Sequence, residues 1–315
     1  MTDILSRLGG AYLARLGAAH RHRQQVLALL LRDRLRRLWR FVDAGRAIAS
    51  WARVSALAVA LTAAMQAEAA RGVDEYVAAA LTAQGVVTDP AGVVAPAALS
   101  GYAADGRTLA GLLGYPAFQV DALVAQGMDG AQALAIGRRH LDRIVMTEVA
   151  DTARTATGLA IVADRAASGW IRMVNLPSCS RCVILAGLWY PSKKGAGFDR
   201  HPQCDCYAVP AAEVVEPPSP KALFDAMDDV ELREAGWSDA DVKAIRDGAD
   251  LYQVTNARRA MYSVTLAGQQ LKATRIGARR RALRLTPDAI YAEASRLDWT
   301  RDQLIDVLRK HRYII

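Results

Sequence analysis

Apolar residues recur every three or four positions along most of the chain, which is the spacing of one face of an α-helix. The pattern predicts helix over residues 1 to about 45, where Gly9-Gly10 could break the run, and from Ala47 to about Leu81. A further helix is expected after Gly130, with Gly137 as an interruption. The hydrophobic pattern therefore indicates a mainly α protein.

After Gly169 the helical spacing of apolar residues gives way to a strand-like pattern. Trp170–Val174 has the composition of a strand, and Leu188–Tyr190, just before a proline, could be its partner. Two such strands would bracket Cys179 and Cys182. A small sheet could therefore hold the turn that carries these two cysteines.

The C-terminal part follows a proline-rich linker, Glu216–Pro220, and has well-marked helix starts. At three places a Ser or Thr precedes a helical run as an N-cap. It is followed by an acid or an amide three residues later, or by a proline at the first helical position. These places are Ser238 with Asp241, Thr286 with Pro287, and Thr300 with Gln303. The last two helices, about 287–296 and 301–310, permit a helix-turn-helix, but a helical hairpin is commoner and is favoured.

The composition agrees with a folded, helical protein. The chain has 315 residues, of which 52% are hydrophobic and 6% aromatic, and this excludes wholesale disorder and favours helix over sheet. We predict helical N- and C-terminal regions, residues 1–105 and 216–315, around a small α+β zinc-binding module at residues 106–215. No stretch reaches the roughly 20 apolar residues of a membrane span, so no membrane partner is expected.

All four cysteines fall in one stretch. Cys179 and Cys182 form a Cys-x-x-Cys turn, and Cys204 and Cys206 follow after a loop, next to His201. Thiolates are soft, strongly binding ligands, and two such clusters can close a tetrahedron around one ion, for which we expect zinc. Either His201 with Cys204 or Cys204 with Cys206 could complete the set. This many candidate ligands indicates a closed, structural site.

Two other chemistries would use the same cysteines. Two disulfides are disfavoured because the sequence shows no secretory signal, and a reducing cytoplasm would keep the thiols reduced. A thioredoxin-like redox Cys-x-x-Cys would not need the second cluster. Zinc binding therefore explains the pattern best.

The residues around the cysteines resemble a known family. Thr147-Glu148, Trp170–Asn175, the Cys-x-x-Cys turn, Gly187 and the run from His201 to Cys206 are similar to the MuF-like phage head morphogenesis family, also called minor capsid proteins. Residues 105–107, 248–259 and 285–291 resemble longer members from phages of actinobacteria, which are often labelled capsid maturation proteases. The resemblance covers roughly residues 100–315.

The resemblance implies a structural minor capsid protein inside the phage head, near the portal and the packaged DNA. Its expected partners are portal and capsid or scaffold proteins, and it would occupy the host cytoplasm during assembly. The protease label supplies an alternative. The sequence has no His-Glu-x-x-His helix and no Gly-x-Ser-x-Gly elbow, so it recommends no catalytic residue. A third alternative is a DNA-binding protein that uses the C-terminal helices.

The chain is basic, with a formal net charge of +8 at pH 7. This charge favours binding to nucleic acid, although a genome rich in Arg codons explains it equally well. Arginine suits phosphate because its planar fork can grip two oxygens. The candidate nucleic-acid contacts are Arg258, Arg259, Arg275, Arg279, Arg280, Arg281 and Arg284. A second basic face, on the N-terminal helix, could meet DNA or an acidic partner, or could be merely solvated; it comprises Arg21, Arg23, Arg32, Arg34, Arg36, Arg37 and Arg40.

Overall fold

The computed structural model describes residues 2–103, 105–174, 178–192, 204, 206–214, 219–275 and 283–314. The protein is mainly helical, with 63% helix and a small sheet region, as the hydrophobic pattern predicted. The chain divides into two compact units. The first comprises Met1–Met173 and Gly187–Glu216, and the second comprises Val174–Ala186 and Pro217–Ile315.

The first unit contains long helices and a three-stranded sheet. Its helices are α1 (Thr2–Trp39), α2 (Ala47–Ala70), α3 (Val73–Thr82), α4 (Leu109–Ala125) and α5 (Gly130–Ala163), with short 3-10 turns at Ala44–Arg46 and Pro96–Leu99. Its strands are β1 (Gly169–Met173), β2 (Trp189–Pro191) and β3 (Tyr207–Ala211).

Two glycine predictions for these helices are wrong. Helix α1 runs through Gly9-Gly10 without a break. Helix α5 likewise continues through Gly137. The real interruption lies at Gly72, whose left-handed backbone (φ +74°) separates α2 from α3 within the predicted 47–81 helix.

The core of the first unit lies among α1, α2, α4 and α5. It includes Leu31, Leu35, Trp39, Trp51, Leu113, Val120, Leu141 and Val145. Gly137 is the point of closest approach in this core. A Cβ atom there would lie 2.6 Å from Val120 Cγ2 and 2.7 Å from Trp39 Cζ2, so only glycine lets α5 pass so close to the other two helices.

The sheet has the order β2-β1-β3, and both pairings are antiparallel. The predicted pairing of the first two strands is confirmed, with Trp170 opposite Tyr190 and their rings stacked at 4.2 Å. Strand β3 was not predicted. One face of the sheet packs on α1 and α3, where Leu13 and Ala80 join Ile171, Tyr207 and Val209 in a second core cluster.

A buried polar contact fixes α1 against α3 and α5. The ring of His20 stacks on Tyr76 at 3.9 Å, and its Nε2 lies 2.6 Å from Gln24 Nε2 and 3.1 Å from Thr157 Oγ1. Burial, with smaller contributions from Arg23 and Arg21, lowers the pKa of His20 to about 4. The imidazole is therefore neutral in the folded protein near pH 7.

The expectation that no stretch is long and apolar enough to span a membrane is wrong, because Ala44–Thr82 is so by length and composition. Core helices of soluble proteins can have the same length and composition. Helix α2, the main part of this stretch, packs in the core described above and buries Thr62 and Gln66. The absence of a membrane partner stays a prediction.

The second unit is built from short helices and one hairpin. These are α6 (Ser180–Val183), α7 (Pro220–Asp225), α8 (Asp229–Glu234), α9 (Asp239–Arg246), α10 (Leu251–Ala257), β4 (Met261–Leu266), β5 (Gln269–Thr274), α11 (Pro287–Leu297) and α12 (Arg301–Lys310). The three predicted N-caps are confirmed, since Ser238, Thr286 and Thr300 all accept backbone N–H groups with their side chains. Buried Trp237 centres the packing of α7 and α10 by contacting Phe224 and donating its Nε1–H to Thr255 Oγ1 at 3.0 Å.

Candidate metal centre

Two of the cysteines lie immediately before β3. Both Cys204 and Cys206 are buried, with exposed fractions of 3% and 1%. Their Sγ atoms lie 2.9 Å apart, which is longer than the roughly 2.05 Å of a disulfide bond. The antiparallel register of β3 on β1 fixes this segment, because Tyr207 pairs directly with Met173. The sheet therefore presents two thiols side by side.

A buried arginine from α5 holds the backbone of both cysteines. Arg154 donates its Nε–H to the carbonyl of Cys206 at 2.9 Å and an Nη2–H to the carbonyl of Cys204. Its Nη1 pairs with Asp151 one turn earlier at 2.6 Å, where both side chains are buried. The guanidinium thus shapes the Cys204–Cys206 segment. Its positive charge also offsets part of the negative charge that bound thiolates would bring.

The Cys-x-x-Cys turn is a single turn of helix. Cys179 is the N-cap residue of α6, and its carbonyl accepts the N–H groups of Cys182 and Val183 at 2.8 and 3.0 Å. Cys182 is fully buried, whereas Cys179 is partly exposed. The turn is anchored within its unit by Ser180, whose N–H donates to the carbonyl of Ala235 at 2.7 Å.

Three of the four thiols are buried. Cys204 and Cys206 lie side by side in the first unit, and Cys182 is buried in the second. Thiolates are strongly binding ligands, so buried residues of this kind could hold a metal ion. His201 lies outside the described residues, and the identity of the metal and its full ligand set stay predictions.

The Thr147-Glu148 motif lies on α5, seven and six residues before Arg154. Glu148 is buried and its carbonyl accepts the hydroxyl of Thr152 at 2.8 Å. This location agrees with a role in contacts between elements of the fold. The sequence reasoning missed Arg154 and Asp151. The signal for them was an Asp-x-x-Arg pair on a helix face that is otherwise filled by Ala, Val and Thr.

The predicted nucleic-acid contacts have different surroundings. Arg258 pairs with buried Asp241 and with Asp288 at 3.5 Å. Arg284 is buried, donates to the carbonyl of His311 at 2.8 Å and lies 4.2 Å from the ring centroid of Tyr313. Arg259 and Arg275 are exposed. Arg279, Arg280 and Arg281 lie outside the described residues, and nucleic-acid binding by the set stays a prediction.

The basic face of α1 is partly engaged in contacts with the protein itself. Arg23 pairs with Glu68 at 2.6 Å, Arg36 with Asp142 at 2.8 Å, and Arg32 with Asp33 at 2.9 Å. Arg21 is buried. The members exposed to solvent are Arg23, Arg34, Arg37 and Arg40.

Comparison with known proteins identifies a family. Neither the curated proteins nor the solved structures gave a match to this chain. A family model described as VG15 protein matches residues 14–230, which is more than half of the chain and includes all four cysteines and the Arg154 contact. The chain therefore belongs to the VG15 protein family, a phage-related family of virion-gene proteins.

Proposed function

We propose that this chain is a structural minor capsid protein of a phage head, with a MuF-like module stabilised by one zinc ion. The observation that carries the proposal is the pair of adjacent buried thiols, Cys204 and Cys206, within the part of the chain that matches a phage virion family. The sequence resemblance to head morphogenesis proteins supports a position inside the head, near the portal and the packaged DNA.

The chemistry of the cluster supports a structural ion. A catalytic zinc keeps a coordination position open to water, whereas these thiols are buried and Arg154 fixes the backbone that carries two of them. An ion held by both cysteine clusters, as the sequence predicts, would cross-link the Cys-x-x-Cys turn to the segment before β3. Such ions contribute on the order of 10 kcal/mol to folding in small modules.

The metal is tested by elemental analysis of purified full-length protein. We expect about one zinc per chain in the wild type and a loss of most of it in Cys182→Ser, Cys204→Ser and Cys206→Ser. Cys179→Ser measures whether that residue is the fourth ligand. His22→Ala, which removes an exposed imidazole on α1, is the matched control and should keep the metal. A fully folded wild type that contains no metal after purification without chelators would contradict the proposal.

The capsid role is tested on heads of the encoding phage. Mass spectrometry of purified procapsids should find this chain together with the portal and major capsid proteins. Deletion of its gene should reduce the yield of filled heads. Procapsids that contain the other head proteins but lack this chain would refute the assignment, whatever the metal content of the purified protein.

A further inference from the structure

The positive charge of the chain is concentrated in one segment. Residues 251–287 contain eight of the 40 Lys and Arg and none of the 32 Asp and Glu. The rest of the chain therefore carries 32 cations against 32 anions, and the formal net charge of +8 comes entirely from this segment. A general bias toward arginine would spread the excess charge along the chain. Its confinement to about an eighth of the residues indicates a local function for it.

The described part of this segment is a β-ribbon. Strands β4 and β5 pair in antiparallel register through a tight turn at Ala267-Gly268, where both residues have positive φ. The inner face carries Val264 opposite Leu271 and Tyr262 opposite Ala273. Leu271 and Ala273 are buried, and α11 contacts β5. This apolar face anchors the ribbon on the second unit.

The outer face of the ribbon is exposed and polar. Its cross-strand pairs are Ser263 with Lys272 and Thr265 with Gln270, and in each pair the longer side chain donates to the hydroxyl at 2.8 Å. All four residues are exposed. A face of this kind offers hydrogen-bond donors and one ammonium group to a partner and carries no negative charge.

Two arginines lie at the base of the ribbon. The hydroxyl of Thr274 donates to the carbonyl of Arg259 at 2.8 Å, and the N–H of Arg275 donates to the carbonyl of Ala260 at 3.4 Å. Arg275 lies 5.5 Å from the ring centroid of Tyr262. Arg259, Arg275 and Lys272 are exposed, and within the described residues none of them forms an ion pair with a carboxylate. They differ in this from Arg258, which is paired, and from Arg284, which is buried.

We infer that the β4–β5 ribbon, with Lys272 on its outer face and Arg259 and Arg275 at its base, binds the phosphate backbone of duplex DNA. A two-stranded ribbon fits the major groove, which is about 12 Å wide, while cations beside it reach the phosphates. Charge complementarity selects this partner because a duplex carries one negative charge per about 1.7 Å. The inference deepens the proposed capsid role by naming packaged DNA as a partner, but its test does not depend on that role.

The experiment measures binding of a short fluorescein-labelled duplex to the full-length protein by fluorescence anisotropy, between about 50 and 200 mM salt. The variant Lys272→Gln/Arg275→Gln removes two predicted phosphate contacts. Each contact contributes about 0.9 to the slope of log K against log salt. We therefore expect the slope to fall by about 1.8 and the affinity at about 0.1 M salt to fall by about 60-fold.

The control is Arg34→Gln/Arg37→Gln, which removes the same charge from exposed positions on α1. It should bind within about twofold of the wild type, and Lys272→Arg/Arg275→Lys should bind as the wild type does. Equal losses in the two Gln variants would overturn the inference, because overall charge would then explain binding. The inference would also be overturned if the wild-type protein bound poly-glutamate but did not bind the duplex. Incorporation of the Lys272→Gln/Arg275→Gln protein into DNA-free procapsids is measured separately. Normal incorporation together with weak duplex binding would show that the variant has lost DNA binding and has kept the capsid role.

Discussion

Replacement of Arg154 by Leu tests how the cysteine segment is held. The substitution removes the 2.6 Å ion pair to Asp151 and the donors to the carbonyls of Cys204 and Cys206. Removal of one partner of a buried ion pair costs about 3–5 kcal/mol, and each lost hydrogen bond to a buried carbonyl costs about 1 kcal/mol more. We expect the first unit to lose about 5 kcal/mol of stability and the zinc to be lost with the geometry of the thiols.

The measurement is native-state hydrogen exchange of peptides from α5 and β3, because it reports the opening free energy of this region separately from the second unit. Elemental analysis of the same samples reports the metal. The matched control is Arg165→Leu, which breaks a pair with Asp89 in which the side chains are 64% and 62% exposed. Exposed pairs contribute about 1 kcal/mol or less, so this variant should remain close to the wild type.

A second substitution separates charge from packing. Asp151→Asn in the Arg154→Leu background removes the buried carboxylate charge that the arginine balanced. The double variant should therefore be more stable than Arg154→Leu alone. The reasoning is refuted if Arg154→Leu stays within about 1 kcal/mol of the wild type and keeps its zinc, or if the double variant is no more stable than the single one.

Three further predictions concern packing, pH and capping. Gly137→Ala should destabilise the first unit by about 1–3 kcal/mol in thermal unfolding, despite the better helix propensity of alanine. The control Gly114→Ala should not destabilise it, because the nearest atom would lie 3.8 Å from the new Cβ. Equal effects of the two substitutions would contradict the close-approach argument. Folding lowers the pKa of His20 from about 6.5 to about 4. The neutral imidazole therefore contributes about 3 kcal/mol to the free energy of unfolding above pH 6.5, and this contribution is lost as the pH falls toward 4. Urea unfolding of His20→Gln should show a weaker pH dependence than that of the wild type or of the exposed-site control His22→Gln, and an unchanged dependence would refute the assignment. Thr300→Ala should lower the stability of the second unit by about 1 kcal/mol, because it removes a capping box, and denaturant unfolding that shows no loss would exclude that contribution.

The sequence predicted those features whose causes are local. N-caps such as Ser238 and Thr300 depend on a few neighbouring residues, and the pairing of β1 with β2 followed from two short apolar, aromatic runs. Strand β3 was missed because Pro210 argues against a strand; its position at the edge of the sheet tolerates the missing N–H. The β4–β5 ribbon was missed because its turn uses Ala267, a residue seldom found with positive φ.

Part of the metal centre was also predictable. Four cysteines in one stretch indicated thiolate ligands, and three of them are buried in the structure. The Arg154 contact was not predictable, because it joins residues about 50 positions apart through backbone carbonyls, which leave no mark in the sequence. Likewise, nothing in the sequence distinguishes Arg284, which is buried, from Arg275, which is exposed. Tertiary packing alone decides which arginines face solvent.

Helix α5 carries two constraints on one continuous rod. Gly137 must face α1 and α4, and Arg154, about 25 Å further along, must face the cysteine segment. Inserting a single residue between them would turn one contact by about 100° relative to the other, whereas inserting seven, close to two full turns, would restore their relative direction. Because seven residues also add about 10.5 Å of length, even that insertion would move Arg154 away from the cysteine segment, and both the direction and the distance between the two contacts fix the number of residues between them.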